Sequence, residues 1–392
     1  MTHRKNTCSF AFKAFLCALG FQLAIATAAG CGGGSGSTNT GTGTPPAQNA
    51  ATPTIAATAA QNGAVIVTLS DTTSGAALYY TTDGSAPTET STRYFAPFLV
   101  ASNLTLKAIA AEPPAYLNSS VAAQTFAPGI ASGTLVWSDE FNSASTSAQP
   151  SPSTWTYDTG TDCCGNNELE TYCAWASTTG PCNPANPNAF LGSDGYLHVV
   201  AENPSASVYT SGRLKSEGLF SFQYGRIEAR MMLPESQGMW PAFWLLGNNI
   251  TTASWPACGE ADIMEHIDGS NPPLNGTPPG FDWIAGSVHG GVSSSSEANG
   301  TQQYHPAGFS AAAWHTYGMI WSPGQVQFYV DSPANTYATF TPSNFPGAWP
   351  FDQGPMFILL NLAVGGDWPG SPDATTPFPS TMLVDYVRIY TN

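Results

Sequence analysis

Hydrophobic and polar positions along this chain fall into short runs broken by turn residues. Between residues 133 and 392 the runs are LVWSDEF, YLHVVAE, YGRIEARMML, WPAFWLLG, ADIMEHI, AGSVHG, HTYGMIW, VQFYVD, MFILLNLAVGG and MLVDYVRIY. Each has strand length, several alternate with period two, and no long stretch carries the 3.6-residue period of an amphipathic helix. The pattern predicts an all-β fold with two large antiparallel sheets packed face to face. A cleft across one sheet would then expose a strand face to an extended ligand. A smaller group of strand-like runs lies upstream, AVIVTL (64–69), ALYYTT (76–81) and LTLKAIAA (104–111), with turn signals at Asp71–Gly75 and Asp83-Gly84-Ser85. The chain is therefore divided into a small β-module over 51–128 and a main β-sandwich over 133–392.

The first 50 residues have a different character. Arg4, Lys5 and Lys13 precede an apolar run from Ala14 to Ala26, which has the length of an export signal and is too short to span a membrane as a mature helix. Residues 1–30 are read as that signal, and 31–50, rich in Gly, Ser and Thr, as a flexible tether unable to build a core. Ala28, Ala29 and Gly30 before Cys31 resemble a bacterial lipoprotein processing site. The expectation is an exported protein held at the cell surface by acyl chains on Cys31, with simple cleavage and release as the alternative.

Composition narrows the partners. Charged residues are 9% of the 392, and the formal net charge is −16. Without the first 30 residues it falls to −19, with 7 basic against 26 acidic groups. Such a surface argues against nucleic acid or anionic lipid as partners, and against sulfated or uronic-acid glycans. A neutral polymer meets no such repulsion, and a monomer is expected. Five cysteines remain beyond Cys31: Cys163, Cys164, Cys173, Cys182 and Cys258. Export permits disulfides, but an odd number leaves at least one unpaired or intermolecular. Cys173 and Cys182 can close a local loop around Gly180-Pro181. Cys258 is either cross-linked to Cys163 or Cys164 or a buried thiol. None of the cysteines has zinc spacing, and the six histidines are scattered, so no catalytic metal is expected.

The densest chemistry lies in Gly259–Gly269, GEADIMEHIDG. Glu260, Asp262 and Glu265 occur among Trp255, Pro256, Cys258, Ile263, Met264 and Ile267, and carboxylates in apolar company are expensive unless paired or functional. On a regular strand Glu260 and Asp262 share a face and Glu265 takes the other. A β-bulge at Ile263–Met264 supplies the one residue that would bring Glu265 back. Two glutamates with an aspartate between them on one face suit a glycosidase needing a nucleophile and a proton donor.

Residues 133–392 resemble glycoside hydrolase family 16, and within it the bacterial laminarinases, which are endo-β-1,3-glucanases. The stretches that carry the resemblance are WSDEFN (137–142), GNNELETY (165–172), YTSGRLKSEGLFSFQYGRIEARMMLP (209–234), GMWPAFWLLG (238–247), GEADIMEHIDG (259–269), SVHG (287–290) and LNLAVGGDWPGSPDATTPFPSTMLVDYVRIY (360–390). The resemblance implies a β-jelly roll, with Glu260 as nucleophile, Glu265 as acid/base and Asp262 as helper. It implies sugar contacts at Asn167, Arg213, Trp240, Trp244 and Trp368, with Trp283 a weaker candidate, and places His289 near the acid/base. It implies no catalytic cofactor, but a structural Ca²⁺ on Glu140, the Gly195 carbonyl and Asp385, for which an ion pair involving Arg388 is the alternative. Ala261 stands where a larger aliphatic is usual, and Cys163–Cys164 where a tryptophan-containing loop is common. The stretch ALYYTTDGSAPTETSTRY resembles the Ig-like repeat at the C-terminus of chitobiases and β-hexosaminidases. All eleven tryptophans lie between Trp137 and Trp368, so this module, lacking the usual stacking residue, is read as a spacer rather than a glycan binder. The expected activity is retaining endo-hydrolysis of β-1,3-glucan. The alternatives are a mixed-linkage β-1,3/1,4-glucan or galactan hydrolase, a transglycosylase using the same residues, or a non-catalytic glucan-binding protein, which would typically lose the two glutamates.

Overall fold

The computed structural model describes residues 48–161, 165–268 and 282–392. The export signal, most of the tether, Cys31, Cys163 and Cys164 lie outside the described residues.

Two sheets build the domain from residue 133 onward. One is ten-stranded and runs Glu170–Tyr172, Val208–Ser211, Leu197–Ser205, Ser380–Tyr390, Gly225–Met232, His315–Ser322, Gln325–Val330, Thr336–Phe340, with Ala189–Leu191 and Leu135–Asp139 pairing alongside. The other is seven-stranded and runs Ala298–Tyr304, Ile284–Gly290, Glu260–Glu265, Met239–Gly247, Met356–Val364, Arg213–Lys215, Thr156–Tyr157. Strands far apart in sequence lie side by side, as where Leu197–Ser205 pairs with Ser380–Tyr390, so the sandwich closes through long crossovers.

Strand alternation builds the core between the sheets. Phe243, Leu245, Ile358, Leu360 and Leu362 of the seven-stranded sheet meet Ile227, Ala229, Met231, Val384, Val387 and Ile389 of the ten-stranded one. Each large aliphatic side chain buried here contributes roughly 1.5–3 kcal/mol. The intervening residues, Ala242, Trp244, Leu246, Phe357 and Leu359, pack with Cys258 into a second apolar layer on the outer face of the seven-stranded sheet. With both faces covered, Met356–Val364 is buried at every position, and its sequence reads as an unbroken apolar run rather than an alternating one.

The upstream module is a three-stranded sheet (Thr54–Ala59, Val65–Ser70, Phe98–Val100) and a four-stranded one (Thr92–Arg93, Ala77–Thr81, Leu104–Ala111, Ala122–Phe126). Val67, Leu69, Tyr80, Phe98, Leu106 and Phe126 form its own core. It is also bonded to the larger sandwich. The Leu99 N–H donates to the Ser221 carbonyl at 3.0 Å, and Ser221 Oγ donates to the Pro97 carbonyl at 3.0 Å. Asn62 Nδ2 donates to the Leu135 carbonyl at 2.7 Å, and Ala64 and Leu99 belong to the main core. The segment read as a spacer therefore packs directly on the domain that follows it.

Candidate active site

Glu260–Glu265 lies between Met239–Gly247 and Ile284–Gly290. Along the first neighbour the register runs Leu246 to Glu260 and Trp244 to Asp262, then skips to Phe243 opposite Met264 and Ala242 opposite Glu265. Along the second, Asp262 faces Ser287 and Glu265 faces Ala285, three residues of one strand spanning two of the other. The expected bulge is thus present, with Ile263 as the inserted residue. It lets both Ile263 and Met264, with Ala261, enter the main core, while Glu260, Asp262 and Glu265 serve the outer face. Ala261 is fully buried and packs in that core despite its small size. The strand is entered through Gly259 at φ +85°, where a Cβ would come within 2.9 Å of Pro350 Cγ, so glycine is required for both torsion and space.

Each acid has its own partners. Trp255 Nε1 donates to Glu260 Oε2 at 3.1 Å, and Trp240 Nε1 donates to Glu265 Oε1 at 2.9 Å. His289 sits directly across the strand pair from Glu260. Its Nε2 is 3.1 Å from Asp262 Oδ2 and 3.9 Å from Glu260 Oε1, and its Nδ1 is 3.0 Å from Glu297 Oε1. The resemblance put this histidine near the acid/base; its charge does act on Glu265, while its contacts within 4 Å are with Asp262, Glu260 and Glu297.

The electrostatics follow from this crowding. Burial, then the neighbouring Asp262 charge, pushes Glu260 up to about 8, with His289, Arg213 and the Trp255 N–H opposing. Burial and Asp262 likewise push Glu265 up to about 8. Burial alone would lower His289, but Asp262 and Glu297 outweigh it and hold the ring at about 11, so it is an imidazolium at neutral pH. The cluster accordingly has a fixed cation near Glu260 and carboxyl groups that retain a proton near neutrality. A carboxyl group that keeps its proton can act as a proton donor, and the imidazolium opposes the burial that holds the proton on Glu260.

Aromatic side chains border the acids. The Trp240 and Trp368 rings meet edge-on at 5.4 Å, and Trp368 meets Trp283 at 6.1 Å. Trp283 is fully buried and carries the other two, so it supports the wall and does not face the cleft. Trp244 is also buried. Its Nε1 donates to Asn361 Oδ1 at 2.8 Å, and the Arg213 guanidinium lies 4.7 Å over its ring. Buried in the outer apolar layer and with one face under the guanidinium, Trp244 seats Arg213. Arg213 Nε donates to Asp158 Oδ2 at 2.9 Å. Asn167 is exposed, with Nδ2 2.9 Å from Asp367 Oδ1, on a loop where Gly165, Asn166 and Asn167 all have positive φ, a conformation glycine and asparagine tolerate best.

Trp255, Glu297, Asp158 and Asp367 were not singled out from the sequence as functional residues. Trp255 stands five residues before Glu260, but the intervening turn breaks strand periodicity. Glu297 lies in a serine-rich run whose only signal is an isolated acid, and Asp158 and Asp367 reach their partners across 55 and 200 residues of chain.

One expectation is corrected, and one pair of alternatives is decided. Glu140 accepts from Arg388 Nε at 3.0 Å and Nη2 at 2.8 Å, and Asp385 accepts from Arg230 Nη1 at 2.6 Å. Both proposed calcium carboxylates are thus committed to guanidinium groups. A divalent cation and an arginine compete for the same lone pairs, so Glu140, Gly195 and Asp385 do not fit a calcium site as arranged. Cys258 is a free buried thiol, not cross-linked. It packs among Trp244, Leu246, Phe357 and Leu359, and burial with the nearby Glu260 charge pushes it up to about 12. The local bridge does form, between Cys173 and Cys182, with Cα atoms 5.7 Å apart.

A sandwich whose outer face carries a bulged Glu-x-Asp-x-x-Glu strand, each glutamate held by an indole N–H beside an aromatic wall, defines a two-carboxylate glycoside hydrolase centre. The chain belongs to the glycosyl hydrolases family 16, whose model matches residues 185–388, and residues 56–122 match the chitobiase/beta-hexosaminidase C-terminal domain. It is 36% identical over 271 residues to a beta-glucanase of Rhodothermus marinus, covering 65% of this chain and 84% of that protein. It is 33% identical over 291 residues to glucan endo-1,3-beta-glucosidase A1 of Niallia circulans, covering 67% of this chain and 38% of that relative's length. Among solved structures it is similar to the laminarinase catalytic domain of Thermotoga maritima, with TM-score 0.55, 34% identity, and coverage of 67% of this chain and 99% of that one. The sandwich is accordingly the jelly roll of that family.

Proposed function

We propose that this protein is a retaining endo-β-1,3-glucanase acting on neutral laminarin-type glucan. The observation that carries the reading is the bulge at Ile263, which brings Glu260, Asp262 and Glu265 to one face with a separate indole donor on each glutamate. Glu260 attacks the anomeric carbon, displacing the aglycone oxygen, and forms a glycosyl ester. Glu265 gives its proton to the departing oxygen. It then takes a proton from water, whose oxygen attacks the same carbon and releases Glu260. Two displacements preserve the β configuration. Burial and Asp262 raise both glutamates to about 8; His289 and Arg213 pull Glu260 toward its ionised form, and the reactive state is the one in which Glu260 has lost its proton and Glu265 has kept it. The net charge of −16 supports a neutral substrate over a sulfated one.

Digestion of laminarin, lichenan, agarose and carrageenan, with NMR of the earliest products, tests this. Laminarin should be cut internally with the β-anomer appearing first. Preferred cleavage of lichenan or agarose would move the substrate to mixed-linkage glucan or galactan, and an α-anomer appearing first would exclude double displacement. We further propose export and acylation at Cys31, supported by the basic, apolar and small-residue succession before it. Loss of membrane fractionation in Cys31→Ala, with activity found free of membranes, is the expected result. Unchanged fractionation would remove the anchor.

A further inference from the structure

Glu297 lies one residue before the strand Ala298–Tyr304, at the edge of the catalytic sheet. Its Oε1 is 3.0 Å from His289 Nδ1 and also accepts from Asn299 Nδ2 at 3.3 Å. On the opposite edge of the same ring, Nε2 is 3.1 Å from Asp262 Oδ2 and 3.9 Å from Glu260 Oε1. The two nitrogens of an imidazole are rigidly related, so a partner that fixes one aims the other. The register holds this line in place, since His289 pairs with Glu260 on one side and with Asn299 on the other. His289 and Glu297 are mostly buried, with side-chain exposures of 19% and 16%, so neither is a freely rotating surface group.

We propose that Glu297 is a positioning residue of the active site, one that holds the His289 ring so that Nε2 stays directed at Asp262 and Glu260. The proposal rests on Glu260 being the nucleophile. Without Glu297 the ring loses the contact that sets its rotation, and Glu260 loses a correctly aimed cation. The charged groups facing the ring are Asp262 and Glu260 from the catalytic strand and Glu297 from the edge hairpin, with Glu265 of the same catalytic strand acting on it at longer range. From the turn before that strand comes the neutral Trp255 ring at 6.2 Å. Asp262 and Glu297 together outweigh burial to keep the ring cationic, so removing one carboxylate should let His289 release its proton at lower pH.

The test uses the full chain and the variants Glu297→Gln, Glu297→Ala and Glu297→Asp, with His289→Gln to assign the resonance in histidine-labelled protein. Two quantities are read, the kinetics on soluble β-1,3-glucan and the NMR titration of His289. Glu297→Ala should lower kcat about tenfold or more with KM changed less than about twofold, and Glu297→Asp should recover part of the loss. His289 should titrate at lower pH in Glu297→Gln than in the parent. Unchanged kcat in Glu297→Ala, or a loss confined to KM, would overturn the proposal. Should the alanine variant not fold, the isosteric glutamine decides, and an unmoved His289 titration there overturns it. If the parent cuts no glucan, the reading of function fails, while the titration still decides whether Glu297 governs this ring.

Discussion

Replacing Glu260 with glutamine should abolish hydrolysis and, at alkaline pH, make the protein more stable. An unfolded glutamate ionises near 4.5, whereas burial and Asp262 hold native Glu260 at about 8. Between those values the native state keeps a proton that the unfolded chain has released, so Glu260 makes stability fall as pH rises. At about 1.4 kcal/mol per pH unit the full difference sets a ceiling of roughly 5 kcal/mol above pH 8. The opposing pull of the Trp255 Nε1 bond and of His289, 3.9 Å away, is already contained in that raised value. The gain at pH 8.5 should therefore be on the order of a few kcal/mol, or several degrees in Tm for a domain of this size. Near pH 4.5 both proteins carry a neutral group at this position, so the gain should vanish. Calorimetric unfolding of parent and variant across pH 4.5–8.5 measures it. A Tm difference that stays flat, or turns against the variant as pH rises, would refute the claim that the fold bears a cost for this carboxylate.

Other expectations follow from the same geometry. Glu265→Gln should lose activity on glucan but retain the first chemical step on aryl glycosides whose leaving group needs no proton, which Glu260→Gln cannot do; equal loss on both substrates would undo the division of roles. Reducing Cys173–Cys182 should lower stability by about 2–3 kcal/mol, from closure of a short loop, and leave the catalytic rate near the parent value. Cys258, buried and pushed up to about 12, should resist thiol reagents until the protein unfolds; rapid labelling of the native state would contradict its packing. EDTA should leave Tm unchanged, because Glu140 and Asp385 are held by Arg388 and Arg230; a drop in Tm, with stoichiometric calcium by elemental analysis, would show that these ion pairs give way to metal.

The sequence by itself determined what depends on neighbours along the chain. Alternating runs named the strands. The turn residues and the change of composition near residue 50 divided the chain, and the extra residue in Glu-x-Asp-x-x-Glu announced a bulge before any register was known. These features are local, because a strand's side-chain period and a one-residue insertion are set by backbone geometry within a few residues. Contacts that cross the sheet were decided only by tertiary structure. Nothing in the motif around Trp244 says that Arg213 will cover its ring, and nothing around Cys258 says that Phe357 and Leu359 will enclose its sulfur. The carboxylates at Glu140 and Asp385 have the chemistry of calcium ligands. Whether they meet a cation or a guanidinium depends on which arginine the jelly roll brings beside them, and strand order supplies Arg388 and Arg230. The same holds for Glu297, an isolated acid in the sequence, which reaches His289 only because the Ile284–Gly290 and Ala298–Tyr304 strands fold back on each other at the edge of the catalytic sheet.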